Sequence, residues 1–232
     1  MADKVIVSRA KLVAVADALR EKTGKTKVMS LDEMLNEVAS LQGESEYRKI
    51  DYIRFTGSQV IDTGIVCSRA TKLRVLFSRD DEAQRYLYGV LSTGNIASVT
   101  AYLTSGSGNW RFGNRTTVRG IFSNEEIVHT SIVDKDGITG NTGTARYDEV
   151  GNFSTIGSLI LGGYRNTDGT IGDDLKFVGK IFSFEMWQGA MLVRHFVPVL
   201  DGGGRPCLYD KVSGELFYNA GSGEFLYGEK MS

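Results

Sequence analysis

Two hydrophobic periods divide the chain near residue 45. Before that point the apolar positions recur at helical spacing. Leu12, Val15, Ala16 and Leu19 follow i, i+3, i+4, i+7, behind a capping Ser8 and ahead of a stop at Lys22-Thr23-Gly24. A second helix is predicted from Ser30, where Glu33 completes a capping box. Leu31, Met34, Leu35, Val38 and Leu41 line one of its faces, and Gly43 ends it. Residues 1–28 carry seven bases against three acids, whereas 30–46 carry five acids and no base. Two helices this short bury little apolar surface alone. The sequence leaves two readings of their stripes open: packing within the chain, or assembly of sister chains into a homo-oligomer through residues 1–43.

From about Tyr47 the period is two. Strands are predicted at 52–55, 60–62, 73–77, 86–90, 99–103, 109–112, 126–133, 159–161, 177–187 and 191–199, with Asp136-Gly137 as a hairpin turn into Ile138. Residues 214–218 and 223–227 are nearly a doublet about the turn at 219–222, which reads as a terminal hairpin. The 28 glycines, 2 prolines and 10% aromatics suit short strands joined by tight turns. The expected fold is mainly β: a two-sheet antiparallel jelly-roll sandwich over 46–232, preceded by a small N-terminal helical hairpin over 1–45.

Composition excludes several functions. Apolar residues make up 41% and charged residues 24% of the 232, ordinary for a soluble globular protein. The 27 basic and 28 acidic side chains leave a net charge of −1, which argues against nucleic-acid binding. No run approaches a membrane span, and Met1-Ala2-Asp3-Lys4 begins no signal-peptide core. The expectation is therefore a chain made in a cytoplasm, without membrane insertion. Cys67 and Cys207 have no metal spacing, and buried free thiols are favoured over a single bridge.

Tyr52-Ile53-Arg54-Phe55-Thr56-Gly57-Ser58-Gln59-Val60-Ile61-Asp62-Thr63-Gly64 resembles the opening strand pair of a concanavalin A-like lectin/glucanase (LamG-like) jelly roll. The version it resembles occurs in phage and prophage virion proteins of gut and Gram-positive bacteria. Gly179-Lys180-Ile181-Phe182-Ser183, Leu192-Val193-Arg194-His195-Phe196-Val197-Pro198-Val199 and the stretch from Leu208-Tyr209-Asp210 to Gly221-Ser222-Gly223 resemble its closing half. His195 stands where an acid is expected, and Cys207 where a small aliphatic residue or Gly is usual. The lead from Ala16 to Met34 is similar to a segment common in phage tail and fibre proteins. The resemblance implies a tail- or fibre-like virion surface protein, assembled in the bacterial cytoplasm and joined to other virion proteins through residues 1–43. Its sandwich would recognise a glycan on a bacterial or mucosal surface without catalysis. The alternative is a structural capsid or tail component without glycan binding, with a glycoside hydrolase third.

The carboxylates support the non-catalytic reading. A retaining glycosidase holds two carboxyl groups about 5–5.5 Å apart, and on this scaffold they come from a Glu-x-Asp-x-Glu strand that the chain lacks. Asp134 and Asp136 lead into a turn, Glu125-Glu126 and Asp173-Asp174 are adjacent pairs, and Glu185 stands alone. His129 and His195 have no nucleophile elbow beside them. No cofactor is expected, with one candidate exception: Asp168, Asp173 and Asp174 on a glycine-bent loop are possible Ca²⁺ ligands. For sugar binding the candidates are Asn109, Trp110 and Arg111, with Tyr88 and Tyr102. An aromatic face stacks on a pyranose ring while planar polar groups grip its hydroxyls. Tyr86 is expected on the same strand face as Tyr88, and the Tyr164-Arg165-Asn166 corner is a further contributor. The competing reading places the Tyr and Trp rings in the sandwich core.

Overall fold

The computed structural model describes residues 16–18, 20–22, 24, 47–92, 98–120 and 127–228. The chain divides into two units, Met1–Glu46 and Tyr47–Ser232. In the first, residues 16–18 and 20–22 are helical, and the Gly24 N–H donates to the Arg20 carbonyl at 2.8 Å, closing the turn where the stop is expected. The rest of this helix and the whole of the one expected from Ser30 lie outside the described residues. Among the described residues no helix is long and apolar enough to cross a membrane.

The second unit is built from strands. They are β1 (Tyr47–Lys49), β2 (Tyr52–Thr56), β3 (Ile61–Ser68), β4 (Thr71–Arg79), β5 (Arg85–Val90), β6 (Ser98–Thr104), β7 (Ser107–Gly113) and β8 (Arg115–Gly120). Beyond these come β9 (His129–Asp134), β10 (Gly137–Gly140), β11 (Gly143–Arg146), β12 (Ser154–Leu161) and β13 (Val178–Gln188). The last four are β14 (Met191–Asp201), β15 (Pro206–Asp210), β16 (Leu216–Phe217) and β17 (Leu226–Gly228). The larger sheet runs β11-β10-β9-β4-β13-β14-β15-β16, with β2 on β13, β17 on β2 and β1 on β14. The smaller runs β3-β12-β5-β6-β7-β8. Neighbouring strands are antiparallel throughout both sheets, the jelly-roll sandwich that the period-two pattern implies.

Strict alternation fills the space between the sheets. On β4, Leu73, Val75 and Phe77 point inward, and Lys72 and Arg74 point out. Phe55, Phe177, Phe184 and Phe196 add fully buried rings, each worth roughly 1.5–3 kcal/mol of burial. Cys67 and Cys207 are both buried free thiols. Burial pushes the Cys67 thiol up to about 12 and the Cys207 thiol to about 11.

Two expected elements change. The strand expected at 126–133 begins at His129 and continues to Asp134; Glu126 lies outside the described residues. The expected terminal hairpin does not form. Instead β16 pairs with β15 (Leu208 opposite Phe217) and β17 pairs with β2 (Tyr227 opposite Ile53). The intervening turn is held by residues 58–60 from the start of the domain. Asn219 Oδ1 accepts from Val60 N–H at 3.0 Å, Ala220 N–H donates to Val60 O at 2.9 Å, and Gln59 Nε2 donates to Glu224 O at 2.7 Å. Phe225 then packs edge-on against Phe55 at 4.8 Å.

Candidate ligand-binding face

The outer face of the smaller sheet gathers most of the expected sugar-binding residues. On β6, Val99, Ala101 and Leu103 are fully buried, so Thr100 and Tyr102 face outward. On β7, Trp110 and Phe112 point inward and Asn109 and Arg111 outward. The register sets Tyr102 opposite Asn109 and Thr100 opposite Arg111, which places these side chains on one surface.

Trp110 is therefore not an open platform. It is 1% exposed and sits opposite Ala101 in the core. Tyr88 is 0% exposed and is removed from the surface by a different cause. Tyr86 pairs with Tyr102, whereas Tyr88 pairs with the adjacent Ala101, so Leu87 is an extra residue in β5. This bulge turns Tyr86 out and Tyr88 in, overturning the expectation that both share a face.

Tyr86 takes the central place. Its ring centroid lies 4.8 Å from that of Tyr102 and 4.5 Å from that of Tyr164. Tyr164 lies beneath this surface, 9% exposed, and two glycines make room for it. A Cβ on Gly89 would come within 2.8 Å of the Tyr164 Cβ, and one on Gly172 within 2.2 Å of its ring.

Polar groups ring the three tyrosines. The Tyr102 hydroxyl donates to Gln84 Oε1 at 2.6 Å, and the Tyr164 hydroxyl donates to Asp174. Burial and the Asp174 bond push the Tyr164 phenol up to about 12. Burial also raises the Tyr86 phenol, with Arg111 acting in the opposite direction. Leu175 adopts a left-handed φ of 50° beside Asp174, and its carbonyl accepts the Tyr86 N–H at 2.7 Å. Gln84 and Leu175 carry no sequence signal for this role; only the fold brings them here.

The other candidates are committed elsewhere. Arg165 donates to Asp62 at 2.6 Å, to both Ser158 oxygens and to Gly169 O, which makes it a structural clamp. Asp168 closes its own turn, accepting from the Thr170 N–H at 2.9 Å and hydroxyl at 2.6 Å; that hydroxyl bond lowers its pKa. Asp174 is engaged with Tyr164. Among the described residues no three His, Cys, Asp or Glu side chains form a metal-holding group, and Asp168 and Asp174, two of the three candidate Ca²⁺ ligands, are bonded to Thr170 and Tyr164. Glu185 lies 3.2 Å from Arg74 and 3.8 Å from His195, whose pKa is lowered by burial and by Lys211. His129 is buried, its ring 5.5 Å from that of Phe77. Asp134 Oδ1 accepts the Asp136 N–H in a turn, and Glu125 and Glu126 lie outside the described residues.

No family model and no curated protein sequence matches the chain. Among solved structures it is similar to a putative carbohydrate binding protein from Bacteroides ovatus, at 12% identity and TM-score 0.51 over 78% of this chain and 60% of that one. It is also similar to domains LG4-5 of the mouse laminin alpha1 chain, at 12% identity and TM-score 0.47 over 63% of this chain and 44% of that one. A native heptameric SAP-like pentraxin from Limulus polyphemus aligns at 13% identity and TM-score 0.45, over 62% and 78% of the two chains. The chain thus spans less than two thirds of the laminin and Bacteroides proteins. The likeness to the Bacteroides protein is one of fold alone.

Proposed function

We propose that the sandwich is a non-catalytic glycan-binding module and that the Tyr86–Tyr102 surface is its binding face. One observation carries the reading: two half-buried tyrosine rings stand side by side on an outer sheet face, bordered by Gln84, Asn109 and Arg111. Such a surface offers a sugar ring a π-face and its hydroxyls several planar hydrogen-bonding groups. The shared fold with a putative carbohydrate binding protein supports the same reading. The resemblance of residues 16–34 to a segment of phage tail and fibre proteins, and of 52–64 to the jelly roll of phage and prophage virion proteins, supports placing the module on a virion surface, assembled through residues 1–43 with like chains and other virion proteins. Detecting the chain in purified phage particles tests that placement.

A purely structural role has one observation in its favour. The Tyr102 and Tyr164 hydroxyls are already satisfied within the chain. A glycan array probed with the protein and its Tyr86→Ala and Tyr102→Ala variants separates the readings. Binding that both variants lose at unchanged melting temperature supports the glycan module. Absence of binding to any glycan assigns the sandwich a structural role.

A further inference from the structure

We propose a second ligand site, on the larger sheet, that takes a carboxylate-bearing saccharide chain. Two adjoining depressions of about 630 and 200 Å³ share Arg205, Pro206, Glu224 and Phe225, and so form one continuous groove. It runs between β17 and the loop joining β14 to β15. Tyr52, Arg54 and Tyr227 line its wider end, and Tyr218 and Asn219 its narrower end. These residues lie on the larger sheet or its loops, whereas the tyrosine face belongs to the smaller sheet. The two sites are separate and neither requires the other.

Arg205 stands where the depressions meet, and the loop is built around it. Asp201 Oδ1 accepts from the Gly203 and Arg205 N–H groups, each at 2.9 Å, and Oδ2 accepts from the Tyr218 hydroxyl at 3.0 Å. Arg205 Nε lies 3.5 Å from the same Oδ2, and its Cζ sits 3.8 Å from the centre of the Tyr218 ring. Asp201 at one edge and the phenol ring on one face fix the plane of the guanidinium. Its side chain is nevertheless 59% exposed and borders both depressions. An arginine held this way presents its terminal nitrogens as a preformed fork, the geometry that grips a carboxylate through two hydrogen bonds.

The surroundings favour a sugar as the bearer of that carboxylate. Arg54, paired with Asp80 at 2.5 Å, brings a second guanidinium to the groove. Lys180 Nζ lies 5.1 Å from the centre of the Tyr52 ring. The exposed Tyr227 provides a ring for a pyranose face, and the groove extends on both sides of Arg205, which suits a chain of several sugars.

The test uses the full chain with tetrasaccharides of polygalacturonate and hyaluronan, against chitotetraose and maltotetraose as neutral controls, followed by calorimetry. The expected result is binding of at least one acidic tetrasaccharide in preference to both neutral ones, weakening as salt rises. Arg205→Ala should weaken it roughly tenfold or more, and Arg205→Lys several-fold, because a point charge does not reproduce the fork. Tyr102→Ala should leave acidic-ligand affinity unchanged even where it abolishes neutral-glycan binding. If Arg205→Ala lowers the melting temperature, Arg205→Lys decides. The proposal is overturned if neither acidic tetrasaccharide is preferred over the neutral ones. Full acidic-ligand affinity in a folded Arg205 variant overturns it equally.

Discussion

Tyr86 and Tyr88, two residues apart on one strand, point to opposite faces of the smaller sheet: Tyr86 stands opposite Tyr102 outside, and Tyr88 opposite Ala101 in the core. Regular alternation would put both on one side. Leu87 absorbs the difference, and the outer face gains an aromatic ring that also reaches Tyr164. Removing Leu87 should restore the regular period with Tyr86 still opposite Tyr102 outside and Tyr88 still opposite Ala101 in the core. Leu87 is itself fully buried, so the Leu87 deletion variant is expected to lose stability while the folded protein keeps its outer tyrosine face and any glycan binding, measured by calorimetric unfolding and by titration.

Truncating Trp110 separates core from surface. Its indole is enclosed between the sheets, so Trp110→Ala should cost about 3–5 kcal/mol and lower the melting temperature by about 6–20 °C. Tyr102→Ala, one strand away on the outer face, should change it by only a few degrees. Scanning calorimetry of both variants checks the pair, and an unchanged melting temperature for Trp110→Ala would contradict the core assignment.

Much of this was legible from alternation alone. Leu73, Val75 and Phe77 announce a strand with one buried face, and the same parity already groups Trp110 with Phe112 and separates both from Asn109 and Arg111. The polar neighbours of Trp110 are thus the outward half of its own strand, and they do not mark the indole as exposed. The bulge at Leu87 could not be read, because an extra residue in a strand leaves the composition around it unchanged. The partners of the last two strands were equally hidden. Residues 214–227 look like a hairpin locally, but Phe225 is drawn to Phe55 and Asn219 to Val60, contacts far apart in sequence. The Tyr86–Tyr102–Tyr164 cluster depends on the same long-range placement.

Alkaline titration should expose the buried thiols. A free thiol ionises near 9, whereas burial holds Cys67 at about 12 and Cys207 at about 11. The folded state therefore keeps protons that the unfolded state releases, so this contribution is complete below pH 9 and is lost as pH rises through 11–12. Cys67→Ala should make stability fall less steeply across that window in urea unfolding measured at stepped pH. An unaltered slope would show that Cys67 titrates normally.

Calcium should leave the protein unaffected. The Asp168 carboxylate is committed to Thr170 and that of Asp174 to Tyr164, and they do not converge on a common centre with Asp173. Adding millimolar Ca²⁺ or a chelator is expected to move the melting temperature by less than about 1 °C, since a ligand that does not bind the native state gives no stabilisation. A concentration-dependent rise with Ca²⁺ would restore the loop as a metal site.

The most informative single change inside the core is Tyr88→Phe. Tyr88 Oη, Trp110 Nε1 and Ser131 Oγ are all buried, and among the described residues none has a partner in hydrogen-bonding geometry. They are neighbours nonetheless: Trp110 and Ser131 partly offset the burial that raises the Tyr88 phenol well above its ordinary value. Ser131 comes from the larger sheet and the two aromatics from the smaller, so these polar atoms gather in the middle of the sandwich. A buried hydroxyl without a good hydrogen bond costs about 1–3 kcal/mol relative to its solvated state. Phe keeps the ring and discards that cost. Tyr88→Phe should therefore leave stability unchanged or raise it by about 1 kcal/mol, whereas Tyr88→Ala, which opens a cavity, should lose about 3–5 kcal/mol. Urea unfolding of both variants distinguishes the outcomes. A loss above 1 kcal/mol for Tyr88→Phe would mean that the hydroxyl is well bonded in solution, joining the two sheets through Ser131 or Trp110.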